Sequence, residues 1–113
     1  MSQRRIEKVT ALLIKEISEL INADFSEKYG LISVADVEIT SDFKDAKVYI
    51  SFLNNEIEKD LLKSLELKAN EYQKILGNKL KMKYTPKLSF FTDKYQEKLD
   101  RVDKLLKEIH RGS

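Results

Sequence analysis

Apolar residues recur at helical spacing in three parts of the chain, and each of these stripes predicts a helix. The first helix is expected over residues 3–23, before a loop at residues 26–30, and its stripe comprises Ile6, Val9, Leu13, Ile17, Leu20 and Ile21. The second is expected to begin after an N-cap at Asn54 or Asn55 and carries Ile57, Leu61, Leu65, Tyr72 and Leu76. The third, capped by Asp93, carries Tyr95, Leu99, Val102, Leu106 and Ile109.

Three shorter segments alternate apolar and polar residues, which is typical of β-strands with one buried face. The first two span residues 34–40 and 46–52, and the intervening residues 41–45 are short enough for an antiparallel hairpin. Pro86 ends the second helix and precedes the third strand, over residues 87–92. The residues expected on the buried faces are Ala35, Val37 and Ile39, then Ala46, Val48, Ile50 and Phe52, then Leu88, Phe90 and Thr92.

The predicted element order is therefore α-β-β-α(kink)α-β-α, an α+β fold with a three-stranded sheet whose helices pack on one face. A kink or break is placed at Asn70, because its side chain competes for backbone hydrogen bonds, with Gly77 and Asn78 as a second candidate. No linker, repeat or low-complexity tract divides residues 1–113, so a single domain is expected.

The charge of the chain is unevenly placed. The 113 residues hold 21 Lys and Arg against 19 Asp and Glu, a formal net charge of only +2. Counted by segment, residues 1–15 carry +3, residues 16–67 carry −7, residues 68–87 carry +5 and residues 88–113 carry +1. Two basic segments that flank an acidic middle favour a nucleic-acid partner if folding brings them together. A solvated lysine-rich face is the alternative interpretation of either cluster.

The chain lacks the residue patterns of common catalytic and metal sites. It has no cysteine and a single histidine, His110, which is expected to be exposed near the C-terminus. Without Cys or a second His, zinc has no evident set of ligands, and no phosphate-loop, dinucleotide or nucleophile-elbow motif occurs. The sequence therefore predicts no enzymatic activity, no metal and no cofactor. The absence of Cys also fits a reducing cytoplasm, and the apolar runs are too short to cross a bilayer.

Some aromatic residues lie off the buried stripes. Tyr49 and Phe91 are expected on the opposite strand faces, where they either stack on RNA bases or cover the sheet. Phe43, in the hairpin turn, either packs back across the mouth of the hairpin or makes an exposed contact.

Several blocks of the chain form a recognisable series. Residues 41–51 read SDFKDAKVYIS, and residues 76–90 are a basic run that leads into Pro-Lys-Leu-Ser-Phe. These blocks resemble two hallmarks of the ribosome-binding factor A family, S-D-hydrophobic-x-x-A-x-V-Y-hydrophobic-S and a basic run into P-x-L-x-F. Residues 5–9 resemble the family's R-x-x-R-V, with Lys8 in place of the second Arg, and residues 101–106 resemble its closing block. The likeness covers nearly the whole chain in consistent order.

The resemblance implies a type II KH-like fold and a bacterial or organellar factor that assists late maturation of small-subunit ribosomal RNA, often under cold stress. In that family an A-x-G helix kink replaces the GxxG phosphate loop of other KH domains. The corresponding triplet here is Ala69, Asn70 and Glu71, so the glycine is missing and Asn70 is expected to take over the kink.

The sequence thus predicts a monomeric, cytoplasmic, non-catalytic assembly factor that binds the small ribosomal subunit and its ribosomal RNA. Other assembly factors are further candidate partners, and no membrane is involved. The residues expected to contact RNA are Arg4, Arg5, Lys8, Asn70, Lys74, Lys79, Lys81 and Lys83. The alternative is a small α+β protein-interaction module that makes no direct contact with RNA.

Overall fold

The computed structural model describes residues 3–93, in which two long helices cover one face of a three-stranded sheet. The elements are α1 (Gln3–Tyr29), β1 (Ser33–Ile39), β2 (Asp45–Ser51), a single 3-10 turn (Asn55–Ile57), α2 (Glu58–Lys79) and β3 (Lys87–Thr92). The α+β class, the three-stranded sheet and the placement of the helices are therefore confirmed. The predicted third helix lies outside the described residues, apart from its capping residue Asp93.

The sheet has the order β1-β2-β3 and combines two kinds of pairing. Strands β1 and β2 are antiparallel and form the predicted hairpin, whereas β3 lies parallel to β2, with Val48 opposite Phe90. A parallel pair needs a long crossover connection, and α2 supplies it. This crossover places the end of α2 and the segment that follows it beside the turn of the hairpin, where Lys87 donates a backbone hydrogen bond to Lys44.

A β-bulge in β1 alters one of the predicted faces. The register between β1 and β2 shifts between Val34 and Asp36, so Ala35 has no partner across the ladder. A bulge inserts one extra residue into a strand and reverses the alternation of side chains beyond it. Val37 and Ile39 face the helices as predicted, but Ala35 is exposed and Val34 packs against the core in its place. The prediction that Ala35 is buried was wrong for this reason.

Helix α1 continues to Tyr29, beyond the predicted end at residue 23, because its last turns contact α2. The Tyr29 hydroxyl donates a hydrogen bond to Asp60, at 2.5 Å, and Lys28 lies 3.5 Å from the same carboxylate. Gly30, with φ of 79°, then ends the helix and donates its backbone N–H to Ser26. A left-handed glycine is a common helix terminator, and residues 26–29 are therefore helix and not the predicted loop.

Helix α2 runs without interruption through Asn70 and through Gly77, so neither position divides it into two helices. Its predicted stripe is buried at Leu61, Leu65, Tyr72 and Leu76. These anchors lie on both sides of Asn70, and packing of this kind outweighs the weak helix preference of one exposed asparagine. At the start of the segment, the Asn54 carboxamide oxygen accepts a hydrogen bond from the Glu56 N–H and so caps the 3-10 turn, while α2 itself has no side-chain cap.

One hydrophobic core lies between the sheet and the two helices. Its most deeply buried members are Leu13, Ile17, Ile21, Ile32, Val48, Ile50, Leu61, Leu65 and Leu76. On the opposite face of the sheet, Tyr49 is only 2% exposed and its ring centroid lies 5.8 Å from that of Phe91. Because the ring is buried and its hydroxyl donates to Glu38, Tyr49 is not an open platform for a base. Neither helix of residues 3–93 combines the length and the apolar character that crossing a bilayer requires.

Candidate nucleic-acid interface

The C-terminal end of α2 fixes the backbone of the basic run that follows it. Leu80 donates its N–H to Leu76, Lys81 adopts a left-handed backbone with φ of 52°, and Met82 donates to the Gly77 carbonyl at 3.1 Å. This is the Schellman arrangement, which usually places glycine at the left-handed position. For a side chain other than glycine this conformation costs about 1–2 kcal/mol, so Lys81 is held in it by its surroundings.

The segment after Lys81 is also tied to the side of α2. The Gln73 side chain donates a hydrogen bond to the Thr85 carbonyl at 2.9 Å, and Pro86 is buried. Gly77 allows this close approach, since a Cβ atom at that position would lie 2.5 Å from the Thr85 hydroxyl oxygen. The basic residues of this segment are therefore presented from a fixed backbone.

Three elements meet at a pocket of about 510 Å³, which we call the loop pocket. It lies between the N-terminal half of α1, the hairpin turn and the segment after α2. Its lining residues are Arg5, Val9, Asp42, Phe43, Leu80, Lys81, Met82, Lys83 and Tyr84. Arg5 belongs to the first basic segment of the sequence, and Lys81 and Lys83 belong to the second. Folding thus brings these two segments together around one pocket.

The hairpin turn supplies an aromatic ring and a carboxylate to the loop pocket. Phe43, with φ of 60°, is 9% exposed and lines the pocket, so it is buried and does not form an exposed contact. Asp42 Oδ1 accepts hydrogen bonds from the Thr40 hydroxyl at 2.7 Å and from the Lys44 N–H at 3.1 Å. These donors, led by the Thr40 hydroxyl, lower the pKa of Asp42, so its carboxylate is ionised at neutral pH.

A second, shallower depression of about 410 Å³ lies along α2, and we call it the α2 groove. Asn70 and Lys74 line it together with Gln73 and Thr85. Lys74 is exposed there, so its ammonium is accessible to a phosphate. The sequence places Glu71 next to this groove, but the Lys68 ammonium lies 2.9 Å from its carboxylate and offsets the negative charge.

The remaining basic candidates stand apart from these two depressions. Arg4 and Lys8 are exposed on α1 but do not line the loop pocket. Lys79 lies 2.5 Å from the carboxylate of Glu16, and this hydrogen bond raises the pKa of Lys79. Glu16 is only 9% exposed, so Lys79 compensates a nearly buried charge within the fold.

Sequence reasoning missed Tyr84, which is 73% exposed and lines the loop pocket. The Lys83 ammonium lies 5.6 Å from the centroid of its ring. The signal that could have identified it is an aromatic residue directly after Lys81 and Lys83 and off the apolar stripe of the next strand. Within residues 3–93, no group of three or more histidine or acidic side chains is placed to hold a metal ion.

Comparisons with known proteins identify relatives of this chain. A family model described as ribosome-binding factor A matches residues 5–106. A ribosome-binding factor A of Halothermothrix orenii is 35% identical over 111 residues, which cover 96% of this chain and 91% of that protein. The crystal structure of ribosome-binding factor A from Thermus thermophilus has a TM-score of 0.68 at 22% identity and covers 76% of this chain and 93% of that one. Coordinates of the Thermus thermophilus factor fitted into a cryo-EM map of a 30S–RbfA complex give a TM-score of 0.62 at 23% identity, with coverages of 73% and 88%.

Proposed function

The chain belongs to the ribosome-binding factor A family, and on that premise we propose that it is an assembly factor that binds the small ribosomal subunit through its ribosomal RNA. It acts during late maturation and processing of that RNA, with a role in growth in the cold and without catalysing a reaction. It works in the cytoplasm as a monomer, beside other assembly factors, and residues 1–113 form its single KH-like RNA-binding domain. The Thermus thermophilus factor in the 30S–RbfA complex supports the small subunit as the partner.

The observation that carries this proposal is the convergence of Arg5 with Lys81 and Lys83 on the loop pocket. The chain has a formal net charge of only +2, so its overall charge attracts RNA weakly. Concentrating cations from both basic segments at one place produces a local positive surface. Lys74 in the α2 groove extends this surface along α2.

The expected mechanism is neutralisation of RNA phosphates with release of the counterions condensed on them. Each phosphate contact then makes the affinity fall more steeply with salt concentration. Because paired RNA exposes few base edges to side chains, recognition of the subunit depends mainly on the shape of its RNA. Hydrogen bonds tie Met82 and Thr85 to α2, and this favours shape recognition because less conformational freedom is lost on binding.

The test is co-sedimentation of the purified chain with small ribosomal subunits over a series of salt concentrations. The double variant Lys81→Ala/Lys83→Ala removes two cations from the loop pocket, and we expect it to bind more weakly. The slope of the logarithm of the binding constant against the logarithm of the salt concentration should become less steep by about 0.7–0.9 per lost phosphate contact. The matched control Lys59→Ala/Lys63→Ala removes two exposed lysines at the other end of α2, with the same change in net charge. If the folded pocket variant binds like the control, the assignment of this surface fails.

A protein-interaction module would behave differently in the same assay. Nuclease digestion of the subunits destroys the RNA but not the ribosomal proteins, so a module that binds a ribosomal protein should still co-purify with that protein. We expect the chain to be released instead. Retention after digestion, together with a flat salt dependence, would replace the RNA-binding proposal with the protein-binding one.

A further inference from the structure

Tyr84 differs from the other tyrosines of residues 3–93. Tyr29, Tyr49 and Tyr72 are buried or partly buried, and each donates its hydroxyl to a carboxylate of another element. Tyr84 is 73% exposed on the rim of the loop pocket, on a segment whose backbone is fixed at both ends. An exposed aromatic ring on such a segment offers a flat apolar surface on which a nucleobase can stack.

The walls of the loop pocket suit a flat apolar group beside that ring. Val9, Phe43, Leu80 and Met82 line it, and Met82 supplies a polarisable thioether that adapts to the shape of a ligand. A volume of about 510 Å³ falls within the ordinary range of small-ligand sites. A pocket of this size has room for one nucleotide and is too small to enclose a double helix.

The loop pocket has both positive and negative side chains, and the two kinds suit different parts of a nucleotide. Arg5, Lys81 and Lys83 are cations that attract the RNA backbone. Asp42 is an anion in the same lining, so it repels phosphate and favours a group that donates hydrogen bonds. Its hydrogen bonds from Thr40 and Lys44 are both accepted by Oδ1, and we assign Oδ2 to a ligand.

We propose that the loop pocket binds one unpaired nucleotide of single-stranded RNA, with its base stacked on Tyr84, its phosphate held by Lys81 and Lys83, and an amino group of the base donating to Asp42. The proposal rests on the RNA-binding function above and adds a subsite to it. Cytosine, adenine and guanine carry an exocyclic amino group and uracil does not, so the pocket discriminates against uracil. A carboxylate that accepts from the cytosine amino group is a known mode of base recognition.

The test measures binding of the full chain to fluorescein-labelled hexanucleotides of cytidine, adenosine or uridine by fluorescence anisotropy. We expect Tyr84→Phe to keep the affinity and Tyr84→Leu to weaken binding about tenfold, because stacking on leucine is poor. The salt dependence of Tyr84→Leu should remain that of the unchanged chain, since no phosphate contact is lost. Lys81→Ala should instead flatten the salt dependence.

Asp42→Asn tests the base preference without dismantling the turn. The asparagine carbonyl oxygen can still accept from Thr40 and Lys44, while the carboxylate oxygen assigned to the base is replaced by an NH₂ donor. We expect this variant to lose the discrimination against uridine. Tyr84→Leu binding as tightly as the unchanged chain, or Asp42→Asn keeping the original preference, would overturn the proposal.

The outcomes for the subsite and for the proposed function are separable. A chain that co-sediments with small subunits but binds none of the hexanucleotides refutes the subsite and leaves subunit binding intact. A chain that binds neither refutes both. Specific binding of the cytidine hexanucleotide that Tyr84→Leu weakens, in a chain that also co-sediments, supports both.

Discussion

The ammonium of Lys79 on α2 and the carboxylate of Glu16 on α1 form a 2.5 Å contact between the two helices. Glu16 is only 9% exposed, so its charge depends on this partner more than an exposed acid would. The contact raises the pKa of Lys79 and keeps it charged throughout the neutral range. Among the lysines of the second basic segment, Lys79 therefore serves the fold while Lys81 and Lys83 face the loop pocket.

The first prediction follows from this difference in partners. Lys79→Ala should leave the salt dependence of small-subunit binding nearly unchanged, because its charge is already offset by Glu16 within the protein. Lys81→Ala should make the slope of the logarithm of the binding constant against the logarithm of the salt concentration less steep by about 0.7–0.9. In urea unfolding, Lys79→Ala should have the larger effect. It should be the less stable of the two variants because it leaves Glu16 without this cation. Equal effects of both substitutions on the salt dependence would contradict the assignment.

The second prediction concerns the left-handed backbone at Lys81. Lys81→Gly should raise the free energy of unfolding by up to about 1 kcal/mol, since glycine adopts a φ of 52° without steric cost. Lys81→Ala should bring no such gain, although it removes the same charge. Urea denaturation measures both, and both variants should show the same flattened salt dependence of RNA binding. A glycine variant no more stable than the alanine variant would mean that the conformation is not strained.

The third prediction addresses the close approach of α2 to the following segment. Gly77→Ala should destabilise the fold by about 1–3 kcal/mol, because its Cβ would lie 2.5 Å from the Thr85 hydroxyl oxygen. Combining it with Thr85→Ala should remove the cost, since the next atom, the Thr85 Cβ, is 3.7 Å away. When Thr85 is already replaced by alanine, Gly77→Ala should increase the stability of α2, because alanine has a higher helix propensity than glycine. Additive effects in this double-mutant cycle would show that the two sites do not interact.

The fourth prediction concerns Asn22, which joins α1 to the start of the sheet. Its carboxamide donates to the carbonyls of Ser18 and Ile32, at 2.9 and 2.7 Å, and accepts from the Ile32 N–H at 3.0 Å. Asn22→Ala removes these partners from the backbone of Ile32, and we expect a loss of about 1–3 kcal/mol in urea unfolding. The same substitution at exposed Asn78 is the control and should change stability by less than about 0.5 kcal/mol. Equal effects at the two positions would refute a bridging role for Asn22.

The fifth prediction is a pH dependence that arises from Tyr72. Burial, followed by its 2.7 Å hydrogen bond to Asp24, raises the pKa of this phenol above the ordinary value near 10. A raised pKa means that the neutral phenol is favoured in the fold, so its contribution is complete below about pH 10 and declines as the pH rises further. Tyr72→Phe should be less stable at pH 7, and the difference from the unchanged chain should shrink above pH 10. If the free energies of unfolding of Tyr72→Phe and of the unchanged chain differ by the same amount from pH 7 to well above pH 10, the pH dependence does not arise from Tyr72.

Local sequence patterns were sufficient for most of the fold. The stripe through Leu13, Ile17 and Ile21 fixed the buried side of α1, because one face of a helix repeats every three to four residues. The alternation at Val48 and Ile50 likewise predicted the strand β2, and the short turn before it predicted the hairpin. Periodicity could not reveal the bulge at Ala35, since an extra residue is defined only by the register with the partner strand.

The boundaries of the helices depended on contacts that are distant in sequence. The last turns of α1 persist because Tyr29 and Lys28 meet Asp60 on α2. Helix α2 stays whole across Asn70 because buried residues on both sides hold it against the core. Such contacts have no signature in a local window, because both partners are ordinary polar or apolar residues.

The sequence by itself determined the element types, the buried stripes and the two basic segments of the chain. Only the tertiary structure decided which cations share a surface: it placed Arg5 beside Lys81 and Lys83 around the loop pocket, and it paired Lys79 with Glu16. The physical reason is that hydrophobic periodicity is a property of neighbouring residues, whereas an electrostatic surface depends on distances between charges brought together by folding.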